Sequence, residues 1–220
     1  MRRAMILVAG GSGTRMGAVI PKQFLLINGK PLLMHTLRTM HTIDMEMELV
    51  LALPEQHFST WKELCTTHNF ATPHTVVAGG ETRFDSVKNA LNTVSSADLI
   101  GVHDGVRPLV TKEVVERCFE ASEQFGAAVP VIPIVQSLRK MSGTGSIAVN
   151  RDEYYAVQTP QCFRANELKD AYAKAAHNQF TDDASVVEAT GKDIALVQGN
   201  VENIKVTSPL DLQLASLLIV

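Results

Sequence analysis

The stretch Ala4-Met-Ile-Leu-Val-Ala9, running directly into Gly10-Gly-Ser-Gly-Thr-Arg-Met-Gly17, decides how the rest of the chain is read. A continuous apolar run of this length, bounded by a glycine turn, predicts a buried strand whose end opens onto a loop. The loop is rich in small residues, so its backbone can approach a ligand closely and aim several N–H groups at phosphate oxygens. It lacks the lysine and hydroxyl that end a P-loop, and Met16 stands where G-x-G-x-x-G, counted from Gly11, needs its last glycine. Neither an ATPase nor a dinucleotide dehydrogenase follows. Glycines alone would equally suit a plain tight turn. Arg15 inside the loop and Lys22 in the fixed turn Pro21-Lys22-Gln23 bring two cations to the same place, which suits a triphosphate.

Working outward, the same strand-and-loop unit recurs. Glu48 to Leu53 reads as a strand, Glu55 to His68 as a helix, His74 to Ala78 as a strand, Thr82 to Leu91 as a helix and Leu99 to His103 as a strand. Thr111 to Phe125 carries Val114, Val115, Cys118 and Phe119 at helical spacing, and the apolar run Ala127 to Ile134 follows it. Helical patterns return at Asn166 to His177 and Asp182 to Ala189. A strand is read at Ile194 to Val197, and a last helix starts near Pro209, capped by Ser208. Strands separated by crossover helices argue for a three-layer α/β fold, a mostly parallel sheet with helices on both faces, and such sheets bind ligands beyond the carboxyl ends of their strands. Residues 135–158 break the rhythm. Met141-Ser-Gly-Thr-Gly-Ser146 is a turn between Ser137 to Lys140 and Ser146 to Asn150, which predicts a projecting hairpin. Residues 1–220 therefore read as one domain with an embedded arm.

Composition narrows the partners. Twenty Lys plus Arg against 23 Asp plus Glu give a formal charge of -3, with no cationic excess for a nucleic-acid backbone to exploit. Any anionic partner should be small. No run approaches the roughly 18 apolar residues of a membrane span, and the opening MRRAMILVAGGSG leads into glycines rather than a cleavage site, so a cytoplasmic location is expected. Cys65, Cys118 and Cys162 lie far apart without metal-ligand spacing and are expected to be buried free thiols.

Residues that follow strands are where chemistry is expected. Gly79-Gly80 closes a strand, and Arg83, Asp85 and Ser86 open the next helix, where a base or ribose could meet backbone groups and a hydroxyl; capping is the plainer reading of Asp85 and Ser86. Asp104 follows an apolar strand, a poor place to pack a carboxylate and a good one for a Mg²⁺ ligand shared with phosphate oxygens. His103 beside it reads as a packed strand-end residue. The arm carries Ser137, Arg139 and Arg151 and has few apolar residues to bury against its own domain, so it should be more stable clasping a partner. Thr159-Pro-Gln161 reads as a structural turn. Thr181-Asp182-Asp183 combines a helix cap with a possible ligand cluster, and Lys205 reads as a buried ammonium that an anion must meet.

The residues Ala9, Gly10, Gly11, Gly13, Arg15, Met16, Gly17, Pro21, Lys22, Gln23 and Phe24 resemble the signature of the 2-C-methyl-D-erythritol 4-phosphate cytidylyltransferases. Further matches follow in order: Gly79 to Val87, His103 to Pro108, Pro130 to Pro133 with Ser137, Gln158 to Gln161, Thr181 to Ser185, and Asn203 to Thr207. This resemblance implies a Rossmann-like nucleotidyltransferase domain over residues 1–220 and a homodimer joined through the arm at 135–158. It assigns Ala9, Gly10, Gly11, Gly13, Gly80 and Ser86 to the nucleotide CTP. Arg15, Lys22 and Lys205 fall to catalysis on the phosphates, and Asp104 to Mg²⁺. Arg107, Ser137, Arg151 and Thr181 fall to the sugar-alcohol phosphate, Ser137 and Arg151 acting across the dimer. The family more often has Asp-Thr or Asp-Ser where this chain has Gln136-Ser137, a departure that removes a carboxylate near the polyol. The implied reaction is attack of the methylerythritol 4-phosphate oxygen on the α-phosphorus of CTP with departure of pyrophosphate. The rival readings are cytidylyl transfer to ribitol 5-phosphate and a nucleotide-binding regulator without catalysis.

Overall fold

Alternate residues of the first strand face opposite sides of one sheet, and both sides are covered. The computed structural model describes residues 1–10 and 20–219, so the readings placed on Gly11, Gly13 and Arg15 lie outside the described residues. In chain order the elements are β1 (Arg3–Val8), β2 (Leu26–Ile27), β3 (Lys30–Pro31), α1 (Leu32–Ile43), β4 (Glu48–Leu53), α2 (Phe58–Thr67), β5 (Thr75–Ala78) and α3 (Arg83–Leu91). Then come β6 (Leu99–Asp104), α4 (Lys112–Phe125), β7 (Ala127–Pro133), β8 (Arg139–Ser142), β9 (Gly145–Ala148), β10 (Tyr155–Val157) and β11 (Gln161–Arg164). The chain continues through α5 (Ala165–Lys174), α6 (Asp183–Glu188), β12 (Ala195–Gln198) and α7 (Pro209–Leu218).

Met5 and Leu7 of β1, with Leu49, Leu51 and Leu53 of β4, pack against α1, α2 and α4 through Leu37, Trp61 and Phe119. Ala4 and Ile6, with Val50 and Ala52, pack on the other side against α3, α5 and α6 through Phe84, Leu168 and Val187. Strands apolar on both faces are what a sheet sandwiched between helices requires. The main sheet runs β10-β7-β11-β6-β1-β4-β5, with β12 also paired to β7. β1 pairs in parallel with β4 and β6, as do β4 with β5 and β12 with β7. β10 and β11 are antiparallel insertions.

The topology places the site. The chain moves from β1 outward to β4 and β5, then returns to lay β6 on the other side of β1. The direction of winding therefore reverses between β1 and β6, and a crevice opens there at their carboxyl ends, where Val8 lies opposite Asp104.

Several boundaries differ from the sequence reading. The helix expected from Glu55 begins as a 3-10 turn at Glu55–His57 and becomes α-helical only at Phe58, after Pro54. The helix expected at 166–177 is α5, ending at Lys174. The hairpin is present as β8 and β9, shifted inward of the expected strands. Elements that were not anticipated include α1, β10 and β11. α1 buries Leu32, Leu33, Met34, Thr36, Leu37 and Met40, but its first turn is an apolar run that suits a strand equally well. The three cysteines are free, Cys118 and Cys162 buried and Cys65 half-buried. Among the described residues no helix is long and apolar enough to cross a membrane.

Candidate active site

Two cavities meet at the switch point. The first, about 190 Å³, is lined by Val8, Ala9 and Gly10 after β1, by Lys22 and Gln23, by Gly80 to Arg83 with Ser86 at the start of α3, and by Asp104, Val106 and Lys205. The second, about 340 Å³, is lined by Arg107, Val157 to Thr159, Gln161, Thr181 and Asp182, together with Arg83, Asp104 and Lys205. Arg83, Asp104 and Lys205 are thus the wall the two cavities share. Basic side chains outnumber acidic ones in both: Lys22, Arg83 and Lys205 against Glu81 and Asp104 in the first, and Arg83, Arg107 and Lys205 against Asp104 and Asp182 in the second. An anionic occupant would be attracted to each.

The first cavity is shaped by backbone and caps. Gln23, buried, donates from Nε2 to the Ala9 carbonyl at 2.9 Å and ties the Lys22 turn to the end of β1. Thr82 and Asp85 form a reciprocal capping box at the start of α3. Ser86 Oγ donates to the Thr82 carbonyl at 3.0 Å and accepts from the Gly80 amide at 3.0 Å. Gly80 is demanded by this packing, since a Cβ there would sit 2.3 Å from the Asp85 Cβ. The Gly80-Ser86 unit therefore holds its own geometry and still presents its edge to the cavity.

Asp104 ends β6, and its Oδ2 accepts from Arg107 Nε at 3.0 Å and lies 3.2 Å from Lys205 Nζ. Burial pushes this carboxyl up, but Lys205, Arg107 and Arg83 outweigh burial and hold it well below the usual carboxylate range. Arg107 is fixed further by a 2.7 Å bond from Nη1 to the Asn203 carbonyl. Lys205 corrects the sequence reading: its side chain is 42% exposed, because Asn203 and Val206 take the inward positions of that segment. Its ammonium meets Asp104 at the cavity surface rather than in the core.

His103 is fully buried and both ring nitrogens are engaged, Nε2 with the Arg107 carbonyl at 2.9 Å and Nδ1 with Thr159 Oγ1 at 3.0 Å. A carbonyl only accepts, so Nε2 carries the proton and Nδ1 accepts from the Thr159 hydroxyl, which in turn accepts from the Asp104 amide at 3.1 Å. Burial lowers the imidazole to about 4. It is packed at the strand end, as the sequence reading had it, and serves as a neutral brace under the 104–107 loop.

Among the described residues no group of three or more His, Cys, Asp or Glu is arranged to hold a metal. A magnesium ion shared with substrate phosphates needs only one or two carboxylates. Asp104 fits that demand: it lies on the wall of both cavities, and both cations that meet it end on Oδ2.

The structure brings Ala9, Gly10, Lys22, Gly80 and Ser86 to the first cavity, Arg107 and Thr181 to the second, and Asp104 and Lys205 to both. Ser137 and Arg151 line neither; Arg151, exposed, donates from Nη1 to the Val135 carbonyl at 2.6 Å within the arm. Sequence reasoning missed Arg83 as a wall residue, having read it only as the opening of α3. Its guanidinium donates from Nη1 and Nη2 to the two oxygens of Asp183, at 2.8 and 2.6 Å. Asp183 is completely buried and also accepts from Tyr172 at 2.7 Å. Gln161, read as part of a turn, accepts through Oε1 from the Asp183 and Ala184 amides. These partners are separated by up to 100 residues, so no local pattern links them.

Comparison with known proteins agrees with this arrangement. A family model described as "IspD: 2-C-methyl-D-erythritol 4-phosphate cytidylyltransferase" matches residues 4–220. A 2-C-methyl-D-erythritol 4-phosphate cytidylyltransferase from Bacteroides thetaiotaomicron is 51% identical over 219 residues, covering 100% of each chain. Among solved structures, the enzyme of that description from Thermus thermophilus superposes with a TM-score of 0.79 at 33% identity, covering 99% of this chain and 98% of its own. A 4-diphosphocytidyl-2C-methyl-D-erythritol synthase from Anaerococcus prevotii gives 0.84 at 25% identity, covering 99% and 96%. The glycine loop, the switch-point crevice and a match along almost the whole length lead to one conclusion: the chain belongs to the IspD family of 2-C-methyl-D-erythritol 4-phosphate cytidylyltransferases.

Proposed function

We propose that the protein transfers the cytidylyl group of CTP to 2-C-methyl-D-erythritol 4-phosphate, giving 4-diphosphocytidyl-2-C-methyl-D-erythritol and pyrophosphate. The observation that carries this reading is the pair of cationic cavities sharing Arg83, Asp104 and Lys205, within a chain of this family. Two substrates that exchange a group must touch, and a shared wall is where they can do so.

CTP occupies the first cavity, its base and ribose near Ala9, Gly10, Gly80 and Ser86. Lys22, with Arg15 of the glycine loop, neutralises the triphosphate. The alcohol phosphate occupies the second cavity, positioned by Arg107 and Thr181. Its phosphate oxygen, ionised at neutral pH, needs no general base, and it attacks the α-phosphorus as the bond to the β-phosphate breaks and pyrophosphate leaves. Lys205 reaches from the shared wall toward the incoming phosphate or the α-phosphate, where negative charge builds up. Asp104 would hold Mg²⁺, which when bound draws phosphate oxygens together and offsets their charge.

Residues 135–158 act as the arm of a homodimer, bringing Ser137 and Arg151 to the sugar-alcohol phosphate in the partner's site. Support comes from exposure: β8 and β9 are exposed along their length, and Met141, Ile147, Tyr154, Tyr155 and Val157 present apolar surface there. Such a surface is stabilised when a second copy covers it. With two soluble phosphorylated substrates and no membrane-length helix among the described residues, the cytoplasm is the assigned location. The test is pyrophosphate release by the full chain with CTP and Mg²⁺. Release on adding 2-C-methyl-D-erythritol 4-phosphate is expected; release only with ribitol 5-phosphate, or with neither alcohol, overturns the assignment.

A further inference from the structure

Arg83 stands between the two cavities with more donors than its partner uses. Asp183 accepts two of its five N–H groups, and among the described residues the other three have no acceptor. The exposure of the pair is lopsided: the Arg83 side chain is 24% exposed and that of Asp183 0%. The carboxylate is hidden, while the partly exposed Arg83 side chain lines both cavities. Asp183 is itself gripped by the Tyr172 hydroxyl, and its backbone by Gln161. A buried ion pair kept only for stability could be replaced by apolar packing at little loss, so this investment in orientation calls for a use.

We propose that Arg83 is a catalytic residue that binds the phosphate undergoing transfer, and that Asp183, Tyr172 and Gln161 are positioning residues that aim its guanidinium at the junction of the two cavities. The inference rests on the transferase reading above. If CTP fills one cavity and the alcohol phosphate the other, the reacting α-phosphorus lies at their common wall, and Arg83 shares that wall with Asp104 and Lys205. As the new P–O bond forms and the bond to the β-phosphate breaks, its electron pair leaves with pyrophosphate. Arg83 neither gives nor takes a proton, and its free N–H groups stabilise the nonbridging oxygens. Asp183 fixes the fork so that no reorientation is needed during the reaction.

The experiment compares kcat, the KM for each substrate and the thermal midpoint in the full-length protein for Arg83→Gln, Arg83→Lys and Tyr172→Phe. Arg83→Gln is expected to lower kcat by roughly 100-fold, the scale of losing one preorganised donor, with the KM for CTP changed by less than about threefold. Arg83→Lys should recover part of that loss by restoring charge without the fork. Tyr172→Phe keeps the ion pair and the fold, and should lower kcat severalfold at near-constant KM, a split that a merely structural role would not produce. Folded Arg83→Gln protein with kcat within about threefold of the unsubstituted chain, or Arg83→Lys no better than Arg83→Gln, overturns the inference. Should Arg83→Gln fail to fold, Tyr172→Phe decides: a lowered kcat supports the role and an unchanged one refutes it. Silence of the unsubstituted chain with both substrates removes the transferase reading and this inference with it, whereas an active chain beside an equally active Arg83→Gln variant removes only the inference.

Discussion

Asp104 shows how single residues share duties in this site. Its carboxylate holds Lys205 and Arg107 in place before any phosphate arrives, and its amide is part of the chain through Thr159 to His103 that braces the loop. In the proposed reaction Lys22 and Lys205 stabilise charge on the phosphates rather than hold the core together. Lys22→Ala and Lys205→Ala are each expected to lower kcat by roughly 100-fold, measured as pyrophosphate release, as loss of a preorganised transition-state contact does. Both variants should stay folded, but loss of Lys205 leaves the nearly buried Asp104 carboxylate with Arg107 as its remaining ion-pair partner among the described residues, so the Lys205→Ala midpoint should fall by more than an ordinary surface change gives. A variant with near-normal kcat would remove that lysine from the chemistry. At this scale the lining of the first cavity was legible in sequence because its residues are consecutive or nearly so, as in Ala9-Gly10 and Gly80 to Ser86. The place of Arg83 on the shared wall was not, because its partner Asp183 is brought to it only by the tertiary fold.

Among elements, α3 frames the first cavity, since its first turn carries Arg83 and Ser86, and Ser86 accepts from the Gly80 amide. Removing the cap with Thr82→Ala should cost about 1 kcal/mol of stability in urea unfolding, because the Asp85 amide and carboxyl lose the Thr82 hydroxyl, while the KM for CTP should change little, because Ser86 hangs on the Thr82 backbone carbonyl that alanine retains. The helix caps also set an acid limit. Hydrogen bonds from Thr82 hold the Asp85 carboxyl below its ordinary value; partial burial pushes Asp211 up, but donors from Thr207 and Ser208 outweigh it and hold it below as well. A carboxyl whose folded value is depressed stabilises the fold above its unfolded value of about 3.9 and loses that contribution as pH falls through the folded value. The thermal midpoint should therefore drop as pH falls from about 5 toward 3, and Asp211→Asn should flatten part of that drop. The cap of α7 was readable from Ser208-Pro209, and the β1, β4 and β6 strands from their apolar runs. α1 and β11 were not: α1 opens with a run that has no helical period, and β11 pairs antiparallel between two strands far from it in sequence.

For the whole molecule, the proposed composite site calls on two chains. Ser137 and Arg151 line neither cavity of their own chain, and the proposed homodimer would carry them to the other. Sedimentation should give a mass near twice 23.9 kDa, and charges placed on the exposed arm, Met141→Asp with Ile147→Asp, should shift the protein toward monomer and lower turnover. A composite site also predicts complementation. Dimers formed by refolding an equal mixture of Arg151→Ala and Lys205→Ala chains place both changes in one site and leave the other intact, so activity should recover to about a quarter of the unsubstituted level. No recovery above either variant alone would confine the site to one chain. Whether the shared wall joins CTP to methylerythritol phosphate is read most directly by phosphorus NMR of the full chain with CTP, Mg²⁺ and each alcohol phosphate in turn. A new diphosphate diester and free pyrophosphate are expected with 2-C-methyl-D-erythritol 4-phosphate, at a rate far above that with ribitol 5-phosphate; equal or faster product formation with ribitol 5-phosphate, or no diester with either, would overturn the proposed transfer.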